Sequence, residues 1–181
     1  MEYKVLTNSV KMPMEGFGVF QVRDKEECKE SVLNAIRAGY RLIDTAASYT
    51  NEDAVGEAVC EAIAEGICTR EELFITSKVW NDMHGRGDVL LSCAKTLKDL
   101  RLDYLDIYFM HWPFPNYHAP GCDGASRSPD AKPFSTERFM ATWRRMERLV
   151  DMGLTRHIGM SNMTIPKLEA VLPLCRIKPA A

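Results

Sequence analysis

Several features are missing from these 181 residues: an excess of basic charge, paired CxxC cysteines, a long apolar run and a glycine-rich phosphate loop. Lys and Arg number 23 against 25 Asp and Glu, for a formal net charge of -2. No cationic surface therefore points to nucleic acid or an anionic membrane as partner. The opening MEYKVLTNSVKMP has no apolar stretch of signal-peptide length, and no later run is long enough to cross a bilayer as a helix. Both readings favour a cytoplasmic protein. The cysteines stand at 28, 60, 68, 93, 122 and 175, and Cys28, Cys60 and Cys93 fall on apolar helix faces. They read as reduced thiols used as small hydrophobes, with neither a disulfide framework nor a metal site expected. GFGVF (16–20) is only a GxG, without a third glycine or an acidic partner, which argues against a dinucleotide-binding doubly wound domain.

Two periodicities alternate along the chain. After a short opening that could form a hairpin, GFGVF reads as a first strand. Cys28, Val32, Ala35 and Ile36 then recur at helical spacing, with Gly39 placed to stop the helix. RLIDTA (41–46) is the next strand, and Thr50 with Asp53 predicts an N-terminal cap for a helix carrying Val55, Val59, Ala62 and Ile63 on one face. LFITSKV (73–79) is a strand, and Val89, Leu90, Cys93, Leu97 and Leu100 stripe a helix. LDIYFMHW (105–112) reads as a fully buried strand. Residues 113–134 hold five prolines and cannot continue either element. Phe139, Met140, Trp143, Met146 and Leu149 mark a helix closed by Gly153; RHIGMS (156–161) is a strand, and Thr164 to Leu172 a short helix. Strand and helix repeat about every 30 residues, which implies parallel strands with crossover helices. The class is α/β. Of its two parallel-sheet architectures, the missing phosphate fingerprint favours a (β/α)8 barrel.

Four polar residues stand at or just past predicted strand C-termini: Asp44, Tyr49, Lys78 and His111. Each alone has a bland explanation. Asp44 could cap a loop, Lys78 could snorkel, and His111 could be a satisfied core histidine. Together, on three adjacent strands at one rim, they suit a catalytic site, since barrels place their chemistry on several strand ends. A lysine ammonium beside a tyrosine favours the phenolate and lowers its pKa from about 10. Asp44 is tolerated at the end of an apolar run because Lys78 can neutralise it, and His111 can donate to a substrate oxygen. Such a site protonates an oxygen as negative charge develops on it. Phe20, Trp80, Trp112 and Phe114 follow strand ends, where an apolar pocket could hold the hydrocarbon part of a substrate. Ser161 and Asn162 offer short polar groups suited to an amide. A Schiff-base lyase using Lys78 is also conceivable but leaves Tyr49 and Asp44 without roles.

MPxxGFGVF, LIDTAxxYxNE, LFITSKVW, LDIYFMHWP and IGMSN occur in this order and together resemble the aldo-keto reductases. The resemblance implies a (β/α)8 barrel that reduces aldehydes or ketones with NADPH. Tyr49 would be the proton donor, Lys78 would lower its pKa, Asp44 would pair with the lysine, and His111 would orient the carbonyl. Ser161 and Asn162 would hold the cofactor's carboxamide, with Gly18, Val19 and Asp44 near the cofactor. Phe20, Trp80, His111 and Trp112 would line the substrate pocket.

One departure from the family pattern stands out. Five strand-helix units are legible, against eight in a closed barrel of about 250 residues, and CRIKPAA falls where a sixth strand would begin. The barrel is expected to be incomplete, with two open edges through which the chain could self-associate and an inner face without opposing side chains. The alternative to a reductase is a noncatalytic fragment or interaction module without a complete cofactor site.

Overall fold

The short apolar strands and amphipathic helices assemble as a sheet backed by helices in the computed structural model, which describes residues 2–6, 9–85, 87–115, 118 and 128–181. The opening forms a hairpin, β1 (Tyr3–Val5) against β2 (Lys11–Pro13), with Tyr3 opposite Pro13. There follow β3 (Gly16–Gly18), α1 (Lys25–Arg37), β4 (Leu42–Asp44), α2 (Glu52–Ala64), β5 (Phe74–Val79) and α3 (Asp88–Leu100). The series closes with β6 (Leu105–Met110), α4 (Thr136–Asp151), β7 (Thr155–Met160) and α5 (Ile165–Val171). The parallel sheet runs β3-β4-β5-β6-β7, in chain order. Each crossover helix packs beside the next, α1 on α2, α2 on α3, α3 on α4 and α4 on α5. This is a barrel-type wall that does not close, since β3 and β7 are its edges. Of the predicted 113–134 loop, residues 116–117 and 119–127, Cys122 among them, lie outside the described residues.

Alternation along the strands divides the apolar side chains between two faces. Ile43, Ile75, Tyr108 and Ile158 point to the helices and join Val32, Val59, Leu97 and Trp143 in the main core. Phe74 and Ile107 point the other way, where Val10 and Ala180 cover them, with Leu6, Met12, Leu42 and Phe109 packed alongside. The expected bare inner face is thus corrected: the hairpin and the last residues fill its lower part. The β7 edge is partly taken as well. The Ala180 N–H donates to the Ile158 carbonyl at 2.9 Å, and the Met160 N–H to the Ala181 carbonyl at 3.0 Å. Residues leading there are tied to α4, where the Trp143 indole donates to the Ile177 carbonyl (3.1 Å) and the Ile177 N–H to the buried Glu147 carboxylate (2.9 Å).

Two local expectations also need correction. Asn51, not Thr50, is the N-cap of α2, and it caps without a side-chain bond. Thr50 adopts a left-handed backbone (φ 59°), and its hydroxyl donates to the Tyr49 carbonyl. Leu90 lies on the solvent side of α3, 41% exposed, while Val89 and Cys93 are buried. A stripe of alternate apolar residues cannot say which of two neighbours, 89 or 90, turns inward.

Gly56 sets how closely α2 approaches the end of α3. A Cβ there would meet the Asp99 carbonyl oxygen at 2.6 Å and Leu100 backbone carbons at 2.7 Å. Backbone cannot yield as a flexible side chain can. Alanine is the better helix former by about 1 kcal/mol, yet Gly56→Ala is expected to destabilise the fold by about 1–3 kcal/mol because overpacking dominates. Urea unfolding of the two proteins checks this; a more stable Gly56→Ala variant would contradict the packing described.

Candidate active site

Parallel registry delivers the polar residues to one end of the sheet. Gly18 pairs with Asp44, and Asp44 with Thr76, across β3, β4 and β5. Lys78, two residues beyond Thr76, falls on the same face and is opposite Phe109 of β6. His111 follows β6 directly. Tyr49 ends a short 3-10 turn (Ala47–Tyr49) that returns the chain over the end of β4.

Lys78 Nζ reaches Asp44 Oδ1 at 2.8 Å, Asp44 Oδ2 at 2.7 Å and the Thr45 carbonyl at 2.8 Å, with the Tyr49 phenol oxygen at 3.4 Å. Its ammonium also lies 5.0 Å from the centre of the Tyr49 ring. The Thr76 hydroxyl donates to Asp44 Oδ1 at 2.6 Å. Burial pulls the Lys78 pKa below its ordinary value, and Asp44 opposes that pull. The Tyr49 phenol shows the opposite of the lowered pKa expected from sequence. Burial first, and the Asp44 charge second, push it up to about 12. Lys78 spends its three N–H donors on the nearer carboxylate and carbonyl oxygens, so it has little left to favour a phenolate. Tyr49 is consequently fully protonated at neutral pH.

His111 packs its ring edge-on against Tyr49 (5.7 Å between centroids) and Trp80 (5.0 Å). Burial, then Lys78, then His118 lower its pKa to about 3, so the imidazole is neutral. Its Nδ1 is buried and makes no hydrogen bond in the described structure, an unfilled capacity of the kind that ligands commonly satisfy. Phe20, 64% exposed, leans on Tyr49 with ring centroids 4.9 Å apart. Trp80 stacks on His118, and Trp112 meets the same imidazole edge-on. Phe114 packs on Phe134 under the Lys167 ammonium.

The predicted amide-binding pair ends β7 at the same rim. The Ser161 N–H donates to the Met110 carbonyl (3.0 Å), while the Asn162 amide donates to the His111 carbonyl (2.7 Å) and to Ser161 Oγ (3.1 Å). Gly18 presents open backbone, since an added Cβ would meet nothing nearer than the Asp44 carbonyl at 4.0 Å. The Val19 side chain is wholly buried in the main core, and its N–H donates to the Asp44 carbonyl (3.2 Å).

Three supporting residues lie within the quoted motifs but received no role from the sequence. Thr76 is one. The second is Asn51, whose amide donates to the Val19 and Val22 carbonyls (3.0 Å each) and whose oxygen accepts from the Thr45 hydroxyl (3.2 Å). The third is Glu52, buried behind the sheet, where it accepts from Ser77 (2.6 Å) and Thr96 (3.2 Å) and has its pKa raised chiefly by burial. Ser77 neighbours Lys78 but faces the helices, so this carboxylate supports the site from the other side. A separate cavity of about 360 Å³, lined by Tyr3, Lys11, Arg41, Asp106, Arg156 and His157 among others, lies at the opposite end of the sheet. Among the described residues no three His, Cys, Asp or Glu side chains gather as a metal site, and no helix is long and apolar enough to cross a membrane.

A paired aspartate and lysine, a protonated tyrosine and a neutral histidine at strand ends define a class, and comparison with known proteins agrees with it. The description "Aldo/keto reductase family" matches residues 16–181. An NADPH-dependent D-xylose reductase of Candida boidinii is 41% identical over 97% of this chain and 56% of its own length. An NADP-dependent D-sorbitol-6-phosphate dehydrogenase of Malus domestica is also 41% identical, over 99% of this chain and 58% of its own length. The aldose reductase structure from Schistosoma japonicum superposes with a TM-score of 0.88 at 37% identity, covering 99% of this chain and 59% of that one. The chain belongs to the aldo/keto reductase family and spans just over half the length of these relatives.

Three histidines, His84, His111 and His157, are held below their ordinary pKa, and the two most strongly lowered give a pH dependence with a definite sign. Burial lowers His84 to about 4, and His111 falls to about 3. Between about pH 6.5, where an unfolded histidine titrates, and those values, the unfolded chain binds protons that the folded chain refuses. These groups therefore favour the fold above pH 6.5, and that contribution is lost as pH falls toward 3. The expected outcome is a lower urea midpoint at pH 4 than at pH 7, with the His84 and His111 imidazole NMR signals unchanged from pH 8 to 5. Titration of either near pH 6.5 would contradict the geometry.

Proposed function

We propose that this chain carries the proton-donating and carbonyl-orienting part of an NADPH-dependent reductase of aldehydes and ketones. The observation that carries the reading is Tyr49, held 3.4 Å from Lys78 while Lys78 is bound two-pronged to Asp44, with a neutral His111 against the same ring. The likeness to a D-xylose reductase and an aldose reductase supports the same chemistry.

In this reading His111 offers a neutral imidazole N–H to the substrate oxygen and fixes its direction. Tyr49 then gives its phenolic proton to that oxygen as it becomes an alkoxide. A raised phenol pKa does not obstruct the step, because an alkoxide is a far stronger base than a phenolate. It ensures instead that the acid is present in its protonated form. The phenolate left behind lies next to the Lys78 ammonium, which stabilises it until a proton is recovered. Asp44 keeps Lys78 charged despite burial. Phe20, Trp80 and Trp112 would form the apolar walls that receive the substrate.

The nicotinamide group, when bound, supplies the hydride for the carbonyl carbon. Ser161 and Asn162 would hold its carboxamide, and Gly18, Val19 and Asp44 would lie beside it. The open backbone at Gly18, on the same rim as Asp44, fits such a neighbour.

Titration of the purified chain with NADPH, followed by nicotinamide fluorescence, tests this reading together with turnover of a small aldehyde. Saturable binding and reduction are expected. Tyr49→Phe should cut reduction at least about 100-fold, as loss of a general acid does, while NADPH still binds. Reduction should hold across neutral pH and fall only as the phenol ionises in alkali. A folded chain that binds no NADPH would overturn the reading in favour of a noncatalytic module.

A further inference from the structure

The carboxylate of an aspartate has no strong preference about its last torsion, because rotation about an sp³–sp² bond is broad. Something outside Asp44 must therefore decide how its two oxygens present themselves to Lys78. Thr76 is placed to do so. The β4–β5 registry sets it directly opposite Asp44, and strand alternation puts its side chain on the same face as Lys78. It is almost wholly buried, at 3% exposure. Its β-branched side chain holds few χ1 choices, so the hydroxyl is a fixed donor rather than a roaming one. The 2.6 Å bond to Asp44 Oδ1 falls in the range of charge-assisted O–H to carboxylate bonds, which are stronger than neutral ones.

With Oδ1 pinned, Lys78 meets both carboxylate oxygens, at 2.8 and 2.7 Å, and the Thr45 carbonyl at 2.8 Å. An ammonium has three protons, and three short acceptors engage them. The phenol oxygen, at 3.4 Å, is the fourth and longest contact. We propose that Thr76 is a positioning residue: by locking Asp44 two-pronged onto Lys78, its hydroxyl keeps the ammonium protons committed away from Tyr49. Thr76 would then act on the proton donor entirely through Asp44. This inference rests on the reading of Tyr49 as the acid.

Release of that lock has a definite consequence. Without the hydroxyl, the carboxylate is free to turn and meet Lys78 through one oxygen, and an N–H becomes free to reach the phenol. A closer cation favours the phenolate. The charged and titratable groups around Tyr49 are Asp44 from β4, Lys78 from β5 and His111 after β6. Glu52 acts on Lys78 from behind the sheet, and His118 on His111.

The test follows the Tyr49 ionisation directly, by NMR of the chain labelled at the tyrosine ring carbon that bears oxygen. The Tyr49 signal is identified by its loss in Tyr49→Phe. In Thr76→Val, close in shape but without the hydroxyl, the acid constant of Tyr49 should rise about tenfold, a fall of about one pKa unit. Thr76→Ser should restore the wild-type value, because it returns the hydroxyl. In an Asp44→Asn background Thr76→Val should have no further effect, which a purely structural role for Thr76 would not produce. An unmoved Tyr49 in Thr76→Val, or the same shift with Asp44 already replaced, overturns the proposal. Should Thr76→Val fail to fold, Thr76→Cys is read in the same way. Absence of aldehyde reduction by the unaltered chain would count against the reductase reading, whereas the Tyr49 titration needs no turnover and judges Thr76 separately.

Discussion

The Asp44–Lys78 ion pair, bridging two adjacent strands at one end of the sheet, is the constraint that orders the rest of the site. A buried lysine is costly unless its charge is met. Here it is met from several directions: two carboxylate oxygens, the Thr45 carbonyl and, from behind, the field of Glu52. These groups come from β4, the segment after it, and the start of α2. Fixing one ammonium thus fixes the exit of β4 and the turn that carries Tyr49. The parallel registry makes this possible, because it sets Asp44, the last residue of β4, opposite Thr76 and carries β5 on to Lys78, whose side chain reaches back over the end of β4.

A second tier of hydrogen bonds carries this order outward to the apolar part of the rim. Asn51 follows Tyr49 by two residues and is itself almost fully buried. Its amide holds the Val19 and Val22 carbonyls, which flank the turn bearing Phe20, while its oxygen takes the Thr45 hydroxyl. Thr45 therefore faces Lys78 with its carbonyl and Asn51 with its hydroxyl. Phe20 can remain largely exposed and still lie over Tyr49, because the backbone beneath it is anchored at two carbonyls. On the other side His111 is flanked by Trp80, and its carbonyl receives the Asn162 amide, which ties the end of β7 to the end of β6.

Much of this was legible in the sequence, and the boundary is physical. Helical and strand periodicities located the elements because burial on one face leaves a mark every 3.6 or 2 residues. Asp44, Tyr49, Lys78 and His111 stood out because ionisable groups at the ends of apolar runs demand partners. Thr76, Asn51 and Glu52 fall within quoted motifs yet received no role, since a threonine in a strand, an asparagine in a loop and a glutamate at a helix start are ordinary in those places. Their roles depend on registry and on which face they turn to, and single-sequence patterns do not carry registry. Phe114 packs on Phe134, since proximity to a strand end in sequence does not decide which way a loop ring turns. The direction of the Tyr49 shift failed on arithmetic. A nearby lysine lowers a phenol's pKa only with charge to spare; the sequence reading pairs Asp44 with Lys78 but does not set that pairing, or the Thr45 carbonyl, against the phenol.

The same competition for Lys78 bears on the acid role proposed for Tyr49. A phenol activated in advance would be partly ionised at rest and would lose the proton it is meant to deliver. In this arrangement the acid is kept whole by burial, and the cation that can stabilise its conjugate base waits at 3.4 Å with its protons engaged elsewhere. Stabilisation then becomes available when negative charge forms on the phenol oxygen and competes with Asp44 for Lys78. An interaction that strengthens as charge develops lowers the barrier more than one made equally strongly in the resting state. The neutral His111 follows the same logic. Held far below its ordinary pKa by burial and by the lysine, it would, in the proposed reading, orient a substrate oxygen by hydrogen bonding without adding a second cation that would ionise Tyr49 prematurely.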